Sequence, residues 1–256
     1  MPGEKAWELY EQGKIDESLQ LAQKELVQEQ SQEAKNALHA VVAWCYYRRK
    51  QFDEAVTEIA LAGDNQRARE CHVYVLAYSK AHTNDTLLSQ LVAEMEGNIN
   101  AANALLIRAR VPTSTVTHEQ VWHMAEGFAQ TGNAANHNVS LANLLHNCAR
   151  FFHDKARDRR DLKFALGLIE VALAHYGDIS NWHHRAAANF WMSHILEKLT
   201  AIPQAFVAAA TSLRLWENQC EVEQKTEPWS RNLEDGSKRV AELANALVAF
   251  ARRVHG

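Results

Sequence analysis

The sequence predicts an all-α protein made of antiparallel helix pairs stacked side by side. Three observations carry this. Turn formers are scarce: 10 glycines and 4 prolines in 256 residues are too few to punctuate a many-stranded sheet. Apolar residues recur three and four apart over most of the length, which gives each segment one sticky helical face. One local instruction is also written twice, about 37 residues apart, as G-K-I-D-E-S-L from Gly13 and K-Q-F-D-E-A-V from Lys50. Self-similarity at a period of that size marks stacked supersecondary units that cannot bury their apolar faces alone.

The clearest unit runs from Asn181 to Trp216, with two apolar-faced helices around a turn at Leu199–Ile202. Lys5 to Gln28 forms the first pair, where Gly13 suits the left-handed position that ends a helix. Asp16 and Glu17 then fall in the next first turn, where negative charge suits the helix dipole. Glu33 to Ala62 repeats the scheme around Arg49-Lys50-Gln51. Arg67 to Met95 fits a further pair, with Cys71, Tyr74, Val75 and Tyr78 facing Leu87, Leu88, Leu91 and Met95, and with Asn84-Asp85 as a cap. Ile99 to Gln130 departs most, because Val111–Thr117 is long for a repeat turn. Thr117 and Gln120 there form a capping box. The polar segment Thr131–Asn138 reads as a loop and as the internal boundary. It divides an N-terminal set of repeats, residues 1–130, from a C-terminal set, 139–256, within one continuous array. Lys225–Asn232 reads as a connection. Leu233 to Val254 reads as a final helix that caps the last open apolar surface. About thirteen helices result.

The stretch Y-Y-R-R-K-Q-F-D-E-A-V-T-E-I, from Tyr46, resembles the turn and second helix of a tetratricopeptide repeat, a 34-residue helix–turn–helix with small residues where helices touch. Aligned on Ala55 and Ala205, the small residue of the first helix falls on Ala43 and Ser193. The large residue three further on falls on Tyr46 and Leu196. The later small-or-apolar positions fall on Ile59 and Ala62, and on Ala209 and Ser212. A third copy spans Ala149 to Leu173, through Phe152, His153, Ala156, Leu162, Ala165, Ile169 and Ala172. His153 stands there at a small-residue position, and Asp158-Arg159-Arg160-Asp161 replaces the usual glycine turn.

The resemblance implies a superhelix whose concave wall comes from the first helix of each pair. On that pattern Trp44, Tyr47 and Arg48 lie on the wall in the second pair. Asn147, Arg150, Asp154 and Arg157 lie there in the fifth, and Phe190, His194 and Glu197 in the sixth. Members that clamp a peptide C-terminal carboxylate use Lys and Asn at positions that here hold Ala37, Ala40, Arg150 and Phe190, which argues against that ligand. The expected function is a non-catalytic protein–protein scaffold that takes a peptide or partner helix on a mixed aromatic and charged wall.

Other chemistries find little support. His118-Glu-Gln-Val-Trp-His123 misses the zinc-protease pattern, because a spacing of five turns the two imidazoles roughly 140° apart on a helix. His146 and His153 share a face but stand about 10 Å apart, too far for one metal. His183, His184 and His194 read as groove-lining or partly buried. No metal and no cofactor is expected. There is no nucleophile elbow, C-x-x-C or glycine-rich phosphate loop, so an enzyme is not expected either. The net charge of −4 gives no general footprint for nucleic acid or an anionic membrane. Two alternatives remain open: RNA contact through the basic turn Lys155–Lys163, and self-association into a homodimer. The four cysteines, Cys45, Cys71, Cys148 and Cys220, sit in apolar helical patterns, as buried reduced thiols of a cytoplasmic protein do. The N-terminus has no apolar signal core, and no apolar run is long enough for a membrane span.

Overall fold

A computed structural model describes residues 3–131, 138–177, 182–223 and 229–255. They form thirteen helices, with no strand among the described residues: α1 (Glu4–Glu11), α2 (Ile15–Gln28), α3 (Gln32–Arg48), α4 (Phe52–Leu61), α5 (Gln66–Tyr78), α6 (Asp85–Glu94), α7 (Ile99–Ala109), α8 (His118–Thr131), α9 (Val139–Asp154), α10 (Arg159–Tyr176), α11 (Trp182–Lys198), α12 (Ile202–Glu223) and α13 (Trp229–His255). The chain divides into two compact units, Met1–Val121 and Trp122–Gly256. The division falls within α8 and not in the polar segment after it, whose residues 132–137 lie outside the described residues. Trp122 explains the position: its ring stacks on Phe164 at 3.7 Å and meets Phe152 edge-on at 5.5 Å, so it belongs to the second unit.

In the first unit each helix from α1 to α7 packs on the next. The odd-numbered helices α1, α3, α5 and α7 also pack on one another in turn. In the second unit α9 to α13 pack in sequence, and α9 also meets α11. Small side chains permit this nesting. Ala43, Ala55, Ala62, Ala149, Ala165, Ala172, Ser193, Ala205, Ala209 and Ser212 are all buried. Two buried serines also bond across a pair: Ser18 Oγ donates to the Ala6 carbonyl at 2.7 Å, and Ser212 Oγ to the Ala186 carbonyl at 2.8 Å. A hydroxyl therefore adds a polar tie at a position where a larger residue would hold the helices apart.

Three hairpin turns share one geometry. After α1, Gly13 has φ +78°, the Lys14 N–H reaches the Leu9 carbonyl, and the Gly13 N–H reaches Tyr10. After α3, Lys50 takes φ +61° with bonds from Gln51 to Tyr46 and from Lys50 to Tyr47. After α11, Thr200 takes φ +64° with bonds from Ala201 to Leu196 and from Thr200 to Glu197. Each is a left-handed C-cap that satisfies otherwise orphaned carbonyls. The α9–α10 turn is built differently. Its Asp158 carboxylate accepts from the Arg160 and Asp161 N–H groups at 2.7 and 3.1 Å, a side-chain cap in place of the left-handed residue.

Other caps follow the sequence. The Asn84 side chain accepts from the Leu87 N–H at 3.0 Å. Thr117 and Gln120 exchange bonds of 2.7 and 3.2 Å. Two expectations need correction. Helix α13 starts at Trp229, so residues 229–232 are helical and not part of a connection. A proline restricts the residue before it and leaves those after it free to turn, so Pro228 is no barrier to a helix that starts at once. Also, Cys71, Tyr74, Val75 and Tyr78 do not face α6. Cys71 and Val75 sit in a core with Ala43, Trp44, Ala55 and Ile59, and the rings of Tyr74 and Tyr78 turn to Tyr47. Helix α5 also buries Val73, Leu76 and Ala77, so it has two apolar faces, and periodicity alone does not say which neighbour takes which.

Candidate functional site

Helices α1, α3 and α5 place a row of aromatic rings side by side. Trp7 and Tyr10 stack at 4.8 Å, and both meet Trp44, at 6.3 and 5.9 Å. Trp44 touches Tyr47 at 5.4 Å and Tyr74 at 5.6 Å. Tyr47 then leads to Tyr74, Tyr78 and Phe52 at 5.9, 6.2 and 6.1 Å. Edge-on and offset contacts at these distances stabilise beyond burial alone. The row grades from buried to open: Trp44 is 8% exposed, Tyr47 half-buried, and Tyr78 51% exposed. The Trp44 indole N–H donates to the Arg67 carbonyl at 2.8 Å, which pins α3 to the start of α5. Trp44 is thus largely a packing residue between repeats, while Tyr47 and the exposed Arg48 remain toward solvent. Burial raises the Tyr10 and Tyr47 phenols above their ordinary range, so both stay protonated.

At the N-terminal ends of the same helices lies an open depression of about 660 Å³. Glu4, Trp7, Glu29, Glu33, Arg67 and Glu70 line it, with smaller residues of α3 at its base. The Arg67 guanidinium lies 4.5 Å above the Trp7 ring and 3.9 Å from Glu4. Glu70 accepts from Asn98 at 2.7 Å and from Asn100 at 3.0 Å. Glu29 accepts from the Gln30 and Ser31 N–H groups, both at 2.9 Å. These donors are neutral amides.

In the second unit, α9 and α11 bring Arg150, Phe190 and His194 together with Trp191 and His153. The Arg150 guanidinium lies 4.5 Å over the Trp191 ring, a cation–π contact. His153 meets Trp191 at 5.4 Å and His194 at 6.1 Å, and Phe190 meets His194 at 4.8 Å. Burial, then the nearby Arg239 and His153 charges, hold the His194 imidazole well below its ordinary 6.5, at about 4, against an opposing pull from Glu197. Asn147 is half-buried. Asp154 is exposed and bonds His153 Nδ1 at 2.9 Å.

Two expected wall residues are engaged elsewhere. Glu197 holds Arg239 of α13 at 2.8 Å, and that buried guanidinium also bonds Ser193 Oγ and the Ser193 carbonyl at 3.2 and 3.1 Å. Arg157 lies beyond the end of α9, and its N–H and guanidinium reach Asp161. The basic turn is similarly committed: Arg159 bonds the Leu199 carbonyl at 3.3 Å, and Arg160 lies 5.1 Å over the Trp122 ring.

The repeat pattern did not assign Trp7, Tyr10, Tyr74, Tyr78, Arg67, Trp191 or Arg239 to the wall. A signal existed for the first two. Trp7 precedes Trp44, and Tyr10 precedes Tyr47, by the same 37 residues that separate Gly13 from Lys50. Cys45, Cys71 and Cys148 are buried, and the Cys220 side chain lies outside the described residues. Among the described residues no group of three His, Cys, Asp or Glu could hold a metal ion, and no helix is long and apolar enough to cross a membrane. No protein-family model matches the chain, and no curated protein matches it in sequence.

Proposed function

We propose that this protein is a divergent tetratricopeptide-type array that works as a non-catalytic interaction scaffold. It takes a peptide or partner helix against the first helices of its pairs. The single observation that carries this is the aromatic row on α1, α3 and α5, which opens to solvent at Tyr47 and Tyr78 beside Arg48. Rings that are packed on one side and open on the other lose little entropy when they bury more surface, which is why aromatic residues dominate binding hot spots. The shared left-handed turns after α1, α3 and α11 and the buried small residues support the repeat assignment.

The test is selection of a random peptide library against the full chain, followed by binding measurements on the enriched peptides. Tyr78→Ala is expected to weaken them about tenfold, with the far-UV spectrum and melting temperature retained, because the ring is 51% exposed. A library that yields no enriched peptide, or enriched peptides indifferent to Tyr78→Ala, defeats the proposal.

A further inference from the structure

The aromatic row leaves open what kind of segment it receives, and the charge around it decides this. We infer that the α1–α3–α5 face receives a basic segment of a partner protein, one that places Lys or Arg in the depression lined by Glu4, Glu29, Glu33 and Glu70 while an apolar side chain rests on Tyr47 and Tyr78. This rests on the scaffold function proposed above.

The lining of that depression holds four carboxylates and one guanidinium. Of these four carboxylates, only Glu4 has a cation within 4 Å among the described residues, Arg67 at 3.9 Å. The charges of Glu29 and Glu70 are met by amide donors, which leave the field negative. A depression walled by helices concentrates such a field and raises the local density of cations. The chain also displays the recognition chemistry once itself. Arg67 lies on the Trp7 ring at 4.5 Å with the Glu4 carboxylate beside it, a guanidinium held between an indole face and an acid. An arriving guanidinium or ammonium meets further carboxylates of the same lining, among them the exposed Glu33. An acidic segment would instead meet four like charges and lose affinity.

Peptides enriched from a random library on the full chain supply the test. Enriched sequences are expected to combine Lys or Arg with an aromatic or aliphatic anchor, and their affinity should fall with added salt. Glu33→Lys is expected to weaken them about tenfold. Glu54→Lys, the same charge change on α4 outside the lining, should leave them within about twofold. Enrichment of acidic or uncharged sequences overturns the basic-segment inference and leaves the scaffold proposal standing, and equal losses from Glu33→Lys and Glu54→Lys do the same. An absence of any enriched sequence overturns both.

Discussion

On the α1–α3–α5 face the side chains that meet are indoles and phenols. On the α9–α11 face they are imidazoles, one indole, one phenyl ring and a guanidinium. Both faces are set up by the same kind of hairpin, closed by a left-handed residue after α3 and after α11. The first face has carboxylates at its rim and hydroxyls whose protons burial holds in place. The second has His194, whose imidazole is held well below its ordinary range by burial first and then by Arg239, and that same Arg239 draws α13 onto α11. The difference teaches that the stacking of small residues fixes the scaffold, while the residues between those positions are free to give each face its own chemistry.

The strongest way to break the comparison is to remove a ring that packs on three helices. Trp44→Ala should cost about 3–5 kcal/mol, because the truncation leaves a void among Trp7, Tyr10, Tyr47 and Tyr74 and removes the indole bond to the Arg67 carbonyl. Chemical denaturation reads this directly. A loss under about 1 kcal/mol would mean that the row collapses freely around the gap.

Acid should sharpen the comparison. His194 has a folded value of about 4 against an ordinary 6.5, so between these the unfolded chain binds more protons than the folded one. Stability contributed by this site is therefore complete above about 6.5 and lost as pH falls from there toward 4. His184, lowered by burial, acts in the same direction. Denaturation midpoints measured across this range should fall with pH, and His194→Gln should flatten the dependence. Equal slopes for the variant and the parent chain would remove His194 as the cause. His72, lowered by burial and by His82, leaves a residual slope that belongs to the first unit.

The smallest expected effect concerns the turns. A β-branched residue at positive φ is strained, so Thr200→Gly should raise stability by about 1 kcal/mol. Lys50→Gly should gain somewhat less, since its side chain is unbranched at Cβ. A melting temperature that falls in either variant would show that the side chain contributes more than the backbone conformation costs.

The helices and most of their ends were legible because they depend on local features: apolar spacing, Asn84 and Thr117 as caps, and the Gly13–Lys50 equivalence. The α5 orientation was not, because Tyr74 and Val73 mark two apolar faces of one helix and only tertiary packing assigns them. Trp44, Tyr47 and Arg48 were legible as wall candidates from the repeat alignment. Trp7 and Tyr10 carried the same 37-residue spacing but were not placed on the wall, because the repeat match was anchored on the second helix of each pair. The ion pair of Glu197 was not legible for a different reason. Its partner, Arg239, lies 42 residues further along the chain, and no local pattern foretells that contact.

The aromatic row has an optical consequence. Trp7 and Trp44, two of the chain's seven tryptophans, sit within it on separate helices, in ring contact with each other and with Tyr10. Any parting of the amino-terminal helix from its neighbour changes the coupling among these chromophores. The protein thus carries an unlabelled near-ultraviolet gauge of that junction, and a segment seated against the row would shift its signal directly.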